Sequence, residues 1–470
     1  VPAPARAAVR RPTTHRAALL VTAVALATTA ASSALAASGA LVWAACAVVA
    51  VGLGPVFLTR RGPRPGLARA AGQMVLSLAP VLLLTLVYPL ATAGFEGRSV
   101  GGAPVATLLL ASSLTVPWLS QSVCMPLYRA LGELNAGDDA RAADDRFCEH
   151  WPAALVQSLP VLALFAVPAA LVLGLGPAAV GAYLLLCVLH VAFAQSLVVA
   201  NTPQRRRLWA LAWTAYAAAL LAAPALWFLP PLAGLVVQLL ALRRSLVRVR
   251  RPARLEHADV AADLLRGLLL GAVLWGDKFV LFLASGAHLA VQTIFTALLP
   301  VVLAYNHYFV RLAPGFDASV ARVRTAMEQD TFAVLTERSR ALYGTVVGSV
   351  VTTGSVAAVL GLLVTAVVAA HDPAALALSA TVTIASWFLL MITVLCYKLD
   401  YIGRRLPAQA LSAVHLLACV VVFTAGTPAL EAYAALVVAD LAVCAVALAL
   451  CLRHWRTPEY TLFWRLATSW

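Results

Sequence analysis

Charge is what this chain has least of. Only 11% of its 470 residues are Asp, Glu, Lys or Arg, where a soluble globular domain carries about 25%. Lysine is nearly missing: Lys278 and Lys398 are the whole complement, so the net charge of +14 rests on arginine. Arginine over lysine with abundant alanine matches the coding bias of a GC-rich genome, and the basic balance needs no nucleic-acid partner. The eight cysteines form no CxxC pair. Most sit in or beside apolar runs, where cysteine behaves as a small hydrophobe, so neither a disulfide framework nor a cysteine metal site is indicated. A Walker A loop, HExxH, GxSxG and the Rossmann glycine pattern are all missing. A nucleotide-driven pump and the common hydrolases and dehydrogenases therefore lack their residues. No catalytic residue, metal or cofactor is expected.

What fills the chain is apolar surface, at 62% hydrophobic residues and a mean hydropathy of +0.89. A soluble fold cannot hide that much, so the expected class is an all-α polytopic membrane protein. Apolar runs of spanning length fall at about 17–37, 40–58, 70–93, 103–127, 151–174, 177–200, 208–229, 232–247, 264–285, 289–310, 343–369, 374–396, 408–426 and 429–452. That is fourteen transmembrane helices, with a range of 12–14. The first two share one run with a small-residue break, and the eighth is short. The basic start at 1–16 followed by an alanine-rich run is expected to be an uncleaved first helix rather than a removed leader.

Charge placement supports this count. With a cytoplasmic N-terminus, every one of the 34 basic residues except Arg98 and Lys278 falls on an inner segment, as the positive-inside rule requires. Both termini are then cytoplasmic, in a bacterial cytoplasmic (cell) membrane. Outer connections such as "GLGP" at 174–177 are too short for an external domain. The expected domains are a basic tail and helix pair at 1–69, a six-helix bundle at 70–247, a linker at 248–263, a second six-helix bundle at 264–452 and a tail at 453–470. The inner loop at 312–342 reads as an amphipathic cytoplasmic helix. The arginine-rich inner loops suit anionic lipid heads or a docked enzyme.

Against this background the polar residues inside spans stand out, because a charge at mid-bilayer costs roughly 2.5–3.5 kcal/mol on insertion scales. Asp277 and Lys278 in "GAVLWGDKFVLFLASG" are the sharpest case. Adjacent helical residues point about 100° apart, so each is expected to meet another helix or a wet cavity rather than its neighbour. Two readings stay open: an ion-pair network holding helices together, or cavity groups that meet substrate or a coupling ion. Trp275 and Tyr305 are aromatic candidates near them. Asn306 and His307 with Arg311 could form an inner gate, and Asp440 is either a packing partner or a pathway residue. His190, Gln195 and His415 read first as helix–helix hydrogen bonds.

Several stretches together resemble the PelG-type polysaccharide exporters of the flippase and multidrug-exporter superfamily. "WGDKFVLFLASG" (275–286) is similar to the aspartate–lysine signature opening that family's second half. "YFVRLAPGFDASVARV" (308–323), "CYKLDYIGRR" (396–405) and "RHWRTPEYTLFWR" (453–465) are similar to its later junctions and its C-terminal close. "LYRALGELNAGDDARAADDRF" (127–147) is similar to the loop after its second span. The resemblance covers roughly 70–470. It departs in two extra N-terminal spans, in Lys398 and Leu399 within the aromatic-rich turn, and in the missing aspartate beside Arg129. It implies two helix bundles enclosing a cavity and export of a growing exopolysaccharide. It also implies a cytoplasmic glycosyltransferase and accessory membrane subunits as partners. A lipid-linked oligosaccharide flippase and a non-transporting scaffold for biosynthetic enzymes are the alternatives.

Overall fold

The computed structural model describes residues 94–135, 139–202 and 205–467, with scattered helical positions between 80 and 92. The chain divides into two compact units, Val1–Leu86 and Val87–Trp470, and the account below concerns the second. The expected spans at 17–37 and 40–58, most of 70–93 and the 1–69 segment lie outside the described residues.

A two-residue β-hairpin, Ser99–Val100 against Ala103–Pro104, leads into thirteen helices. They are α1 (Val105–Leu131), α2 (Ala140–Val172), α3 (Pro177–Ser196), α4 (Arg206–Ala222), α5 (Leu229–Leu242), α6 (His257–Ala284) and α7 (Val291–His307). Then follow α8 (Ala313–Gln329), α9 (Phe332–His371), α10 (Leu376–Tyr401), α11 (Arg405–Thr424), α12 (Ala429–Trp455) and α13 (Pro458–Ala467). Their boundaries follow from local chemistry. Asp139 caps α2 by accepting from the backbone N–H groups of Arg141 and Ala142. Pro177 opens α3 at a position where a missing N–H costs nothing. Prolines inside α1, α2 and α7 are tolerated because packed neighbours can satisfy the freed carbonyls.

Nine helical stretches among the described residues are long and apolar enough to cross a membrane. Their burial is inverted relative to a soluble protein. Leu171, Leu362 and Val438 are at least 70% exposed, while Asp277, Lys278, His415 and Asp440 are completely buried. The chain is an all-α, multi-pass membrane protein. From 103 onward nine of the eleven expected spans coincide with these stretches, while the seventh, expected at 208–229, meets Arg206–Ala222, whose 17 residues end early and are not among the nine. The eighth is corrected. Pro230 and Pro231 start α5 early, Arg243 and Arg244 end it, and its 14 residues rise only about 21 Å against a hydrocarbon core of roughly 30 Å.

The inner loop at 312–342 also differs from expectation. It is not a separate helix. α7 runs through a single π turn at Tyr308–Leu312 into α8, and α9 begins at Phe332 and continues for 40 residues. Two spans thus project as a helical hairpin that turns at Asp330 and Thr331. Phe316, Val320 and Val323 on α8 pack with Leu342 and Val346 on α9, which explains why one face of the segment is apolar. The tail folds back as α13, which packs on this hairpin through α8 and α9.

The core centres on α6. Ala272, Phe279 and Phe282 belong to an apolar cluster with α1, α2 and α3. Leu270 and Val273 belong to a second with α7 to α12, and Leu281 to a third with α7, α10, α11 and α12. α1 lies against α6 at "GLLLG" (267–271). A Cβ on Gly267 would sit 2.3 Å from the Ser122 Cα, and one on Gly271 would sit 2.3 Å from the Trp118 carbonyl oxygen. Small residues at this i, i+4 spacing let two backbones touch. The contact is sealed by Trp118 Nε1 donating to the Leu268 carbonyl at 2.8 Å and Ser122 Oγ donating to the Leu264 carbonyl at 2.6 Å.

Candidate functional site in the buried charge cluster

α6 passes through the bundle, and its turn from Gly276 to Phe279 is buried throughout. Asp277 and Lys278 are both 0% exposed. Contrary to expectation they pair with each other: Lys278 Nζ lies 2.9 Å from Asp277 Oδ2. The long lysine stem bends back along the helix, where Nζ also donates to the Leu274 carbonyl at 3.2 Å, and this closes the angle between adjacent positions. The expectation of a partner on another helix holds for the aspartate. Tyr433 on α12 donates its hydroxyl to Asp277 Oδ2 at 3.4 Å.

A second pair lies in the same region. His415 on α11 approaches Asp440 on α12, Nδ1 to Oδ1, at 2.6 Å, with both side chains fully buried. The Cys419 sulfur sits 3.3 Å from His415 Nε2. In that arrangement Nδ1 can donate to the carboxylate while Nε2 faces the thiol. Asp440 lies within electrostatic reach of both Asp277 and Lys278, so the two pairs form one cluster on α6, α11 and α12. Apolar residues including Ile294, Val382, Phe423 and Leu436 pack around it.

The cluster's chemistry follows from its charge. Two carboxylates face one ammonium, so neutrality requires one more positive charge: a proton on the imidazole or a carboxyl group, or a bound cation. Asp277 Oδ1 and Asp440 Oδ2 are buried with no hydrogen-bond partner among the described residues.

Other sequence candidates fall elsewhere. Trp275 is half-buried and packs against two of the apolar clusters. Tyr305 belongs to an uncharged polar group in which Gln121 Nε2 donates to its hydroxyl at 3.2 Å. In the same region Asn201 Nδ2 donates to the Tyr128 hydroxyl at 3.3 Å, and Phe309 stacks edge-on with Tyr397 at 5.3 Å. This group joins α1, the end of α3, α7 and α10. Tyr128 keeps 41% of its surface exposed, and Gln121 Oε1 is buried without a partner. Asn306 turns its amide back to the Val302 carbonyl at 2.8 Å, and His307 is buried. His190 and Gln195 are helix–helix bridges, to Tyr216 at 2.9 Å and to Trp151 at 3.1 Å. Lys398 is buried over the Phe316 ring, 3.3 Å from its centroid, a cation–π seat distinct from the cluster.

Sequence reasoning missed Cys419 and Tyr433 and treated His415 as routine. The available signal was spacing: His415 and Cys419 are four apart on α11, and Tyr433 and Asp440 seven apart on α12, so each pair shares a helix face.

No family model and no curated protein matches this chain. Among solved structures, one described as the inward-facing conformation of a multidrug resistance MATE family transporter of the MOP superfamily is similar. It is 11% identical, covers 83% of this chain and 99% of that chain, and has a TM-score of 0.41. The functional reading rests on the chain's own residues.

Proposed function

We propose that this chain is a membrane transporter that exports a growing polysaccharide. The observation that carries the transport reading is the buried cluster of Asp277, Lys278, His415 and Asp440 on three helices. Charged groups with unsatisfied oxygens are too costly to keep inside a membrane protein for packing alone. The polymer reading draws on the motifs shared with polysaccharide exporters and on the Gln121, Tyr128, Asn201, Tyr305 and Tyr397 group. Its hydroxyl and amide groups suit sugar hydroxyls, and its aromatic rings suit the CH faces of a pyranose. Lys278 is neutralised by Asp277, so this lysine is not free for the pyrophosphate of a lipid-linked oligosaccharide. A cytoplasmic glycosyltransferase would feed the polymer in. Elongation, or a cation passing through the cluster, would drive it.

The test measures surface carbohydrate and membrane abundance in cells carrying Asp277→Asn, Lys278→Gln or Tyr305→Ala. The expected outcome is exported glycan, per unit of protein present in the membrane, reduced at least about ten-fold, a barrier change of roughly 1.4 kcal/mol. Unchanged glycan output at normal protein level in all three variants would reject the exporter.

A further inference from the structure

A pocket of about 430 Å³ opens where the start of α2, the start of α4 and the end of α5 meet. That volume lies within the range of small-ligand sites. Its lining includes Arg141, Asp144, Arg205, Leu240, Arg243 and Arg244. Arg205 grips Asp144 through both guanidinium nitrogens, at 2.5 and 2.8 Å, which fixes one wall. Four arginines against one aspartate leave the pocket three charges positive. Among the described residues, Arg141, Arg243 and Arg244 engage no carboxylate. Three arginines that engage no carboxylate and line one concavity suit a multiply charged anion, and guanidinium geometry matches phosphate oxygens in pairs.

The rim identifies the source of that anion. Leu240 is 63% exposed and Val236, one turn back along α5, is 42% exposed, so the basic pocket continues directly into an apolar flank. A soluble phosphate or an acidic peptide would use the arginines but not the flank. A lipid uses both, its headgroup on the guanidinium groups and its chain along Val236 and Leu240.

We infer that this pocket binds the phosphate headgroup of an anionic lipid, held by Arg141, Arg243 and Arg244. The site lies outside the buried charge cluster and stands whether or not the cargo is a polysaccharide.

Native mass spectrometry of the full chain in detergent, titrated with cardiolipin, phosphatidylcholine or inorganic pyrophosphate, tests this. Cardiolipin is expected to bind at least about ten-fold more tightly than phosphatidylcholine, since its phosphates meet charge-assisted hydrogen bonds. Arg243→Gln with Arg244→Gln, and separately Arg141→Gln, should each remove most of that preference. The control pair Arg250→Gln with Arg251→Gln, exposed outside the pocket, should leave it intact. Melting temperatures confirm that all variants fold, as expected for exposed arginines. Equal binding of both lipids, or equal loss in pocket and control variants, would overturn the site. Pyrophosphate binding as tightly as cardiolipin would overturn the lipid source.

Discussion

At the residue scale the behaviour of Asp277 and Lys278 follows from where their charges can go. Each is fully buried, and the 2.9 Å contact between them makes each the other's main compensation. Removing one partner of a buried pair strands the other, at a cost of roughly 3–5 kcal/mol. Lys278→Gln should therefore lower the thermal stability of the detergent-solubilised protein markedly. Adding Asp277→Asn to it should recover a large part of that loss, because no unpaired charge then remains. A double variant no more stable than Lys278→Gln alone would show that the pair is not mutually compensating. The Tyr433 hydroxyl bond to Asp277 is longer, at 3.4 Å, and has less weight in this balance.

At the scale of the element, α6 is the helix that the three described apolar clusters share, and its approach to α1 depends on having nothing at Gly267 and Gly271. A side chain at Gly271 meets the Trp118 carbonyl within 2.3 Å at its first carbon, and backbone cannot step aside as a flexible side-chain tip can. Gly271→Leu should push α1 from α6 and break the bonds from Trp118 and Ser122 into α6. Overpacking of this kind costs about 1–3 kcal/mol or more, to be read as a lower melting temperature and loss of monodispersity. Gly344, where a Cβ meets nothing within 4 Å, is the matching control. Gly344→Ala should be neutral or slightly stabilising, since alanine is the better helix former by about 1 kcal/mol.

For the whole molecule, orientation is the property that assembles the rest. The positive-inside rule applied to the arginine segments predicts the α8–α9 hairpin in the cytoplasm and the α11–α12 turn outside. Thr427→Cys and Glu328→Cys, both at exposed positions, report on the two sides. An impermeant thiol reagent should label Thr427→Cys in intact cells and Glu328→Cys only after permeabilisation. The seven described native cysteines are buried and should contribute little background. Labelling in the reverse order would invert the molecule and move the arginine pocket to the outer face.

Much of this architecture is written locally. Hydropathy and arginine placement act residue by residue against a slab of fixed thickness, so the sequence alone determined the membrane class, the position of nearly every helix from α1 to α12, and Asp277, Lys278 and Asp440 as residues needing explanation. It could not determine partners. Whether Asp277 meets Lys278 or another helix depends on a bent lysine stem and on α12 bringing Tyr433 alongside. The pairing of His415 with Asp440 depends on α11 and α12 presenting one face each to α6. The same holds for the three arginines of the pocket, contributed by chain segments about a hundred residues apart. Which helices become neighbours is settled by small-residue contacts and side-chain shape across the bundle, and those are properties of the packed tertiary structure.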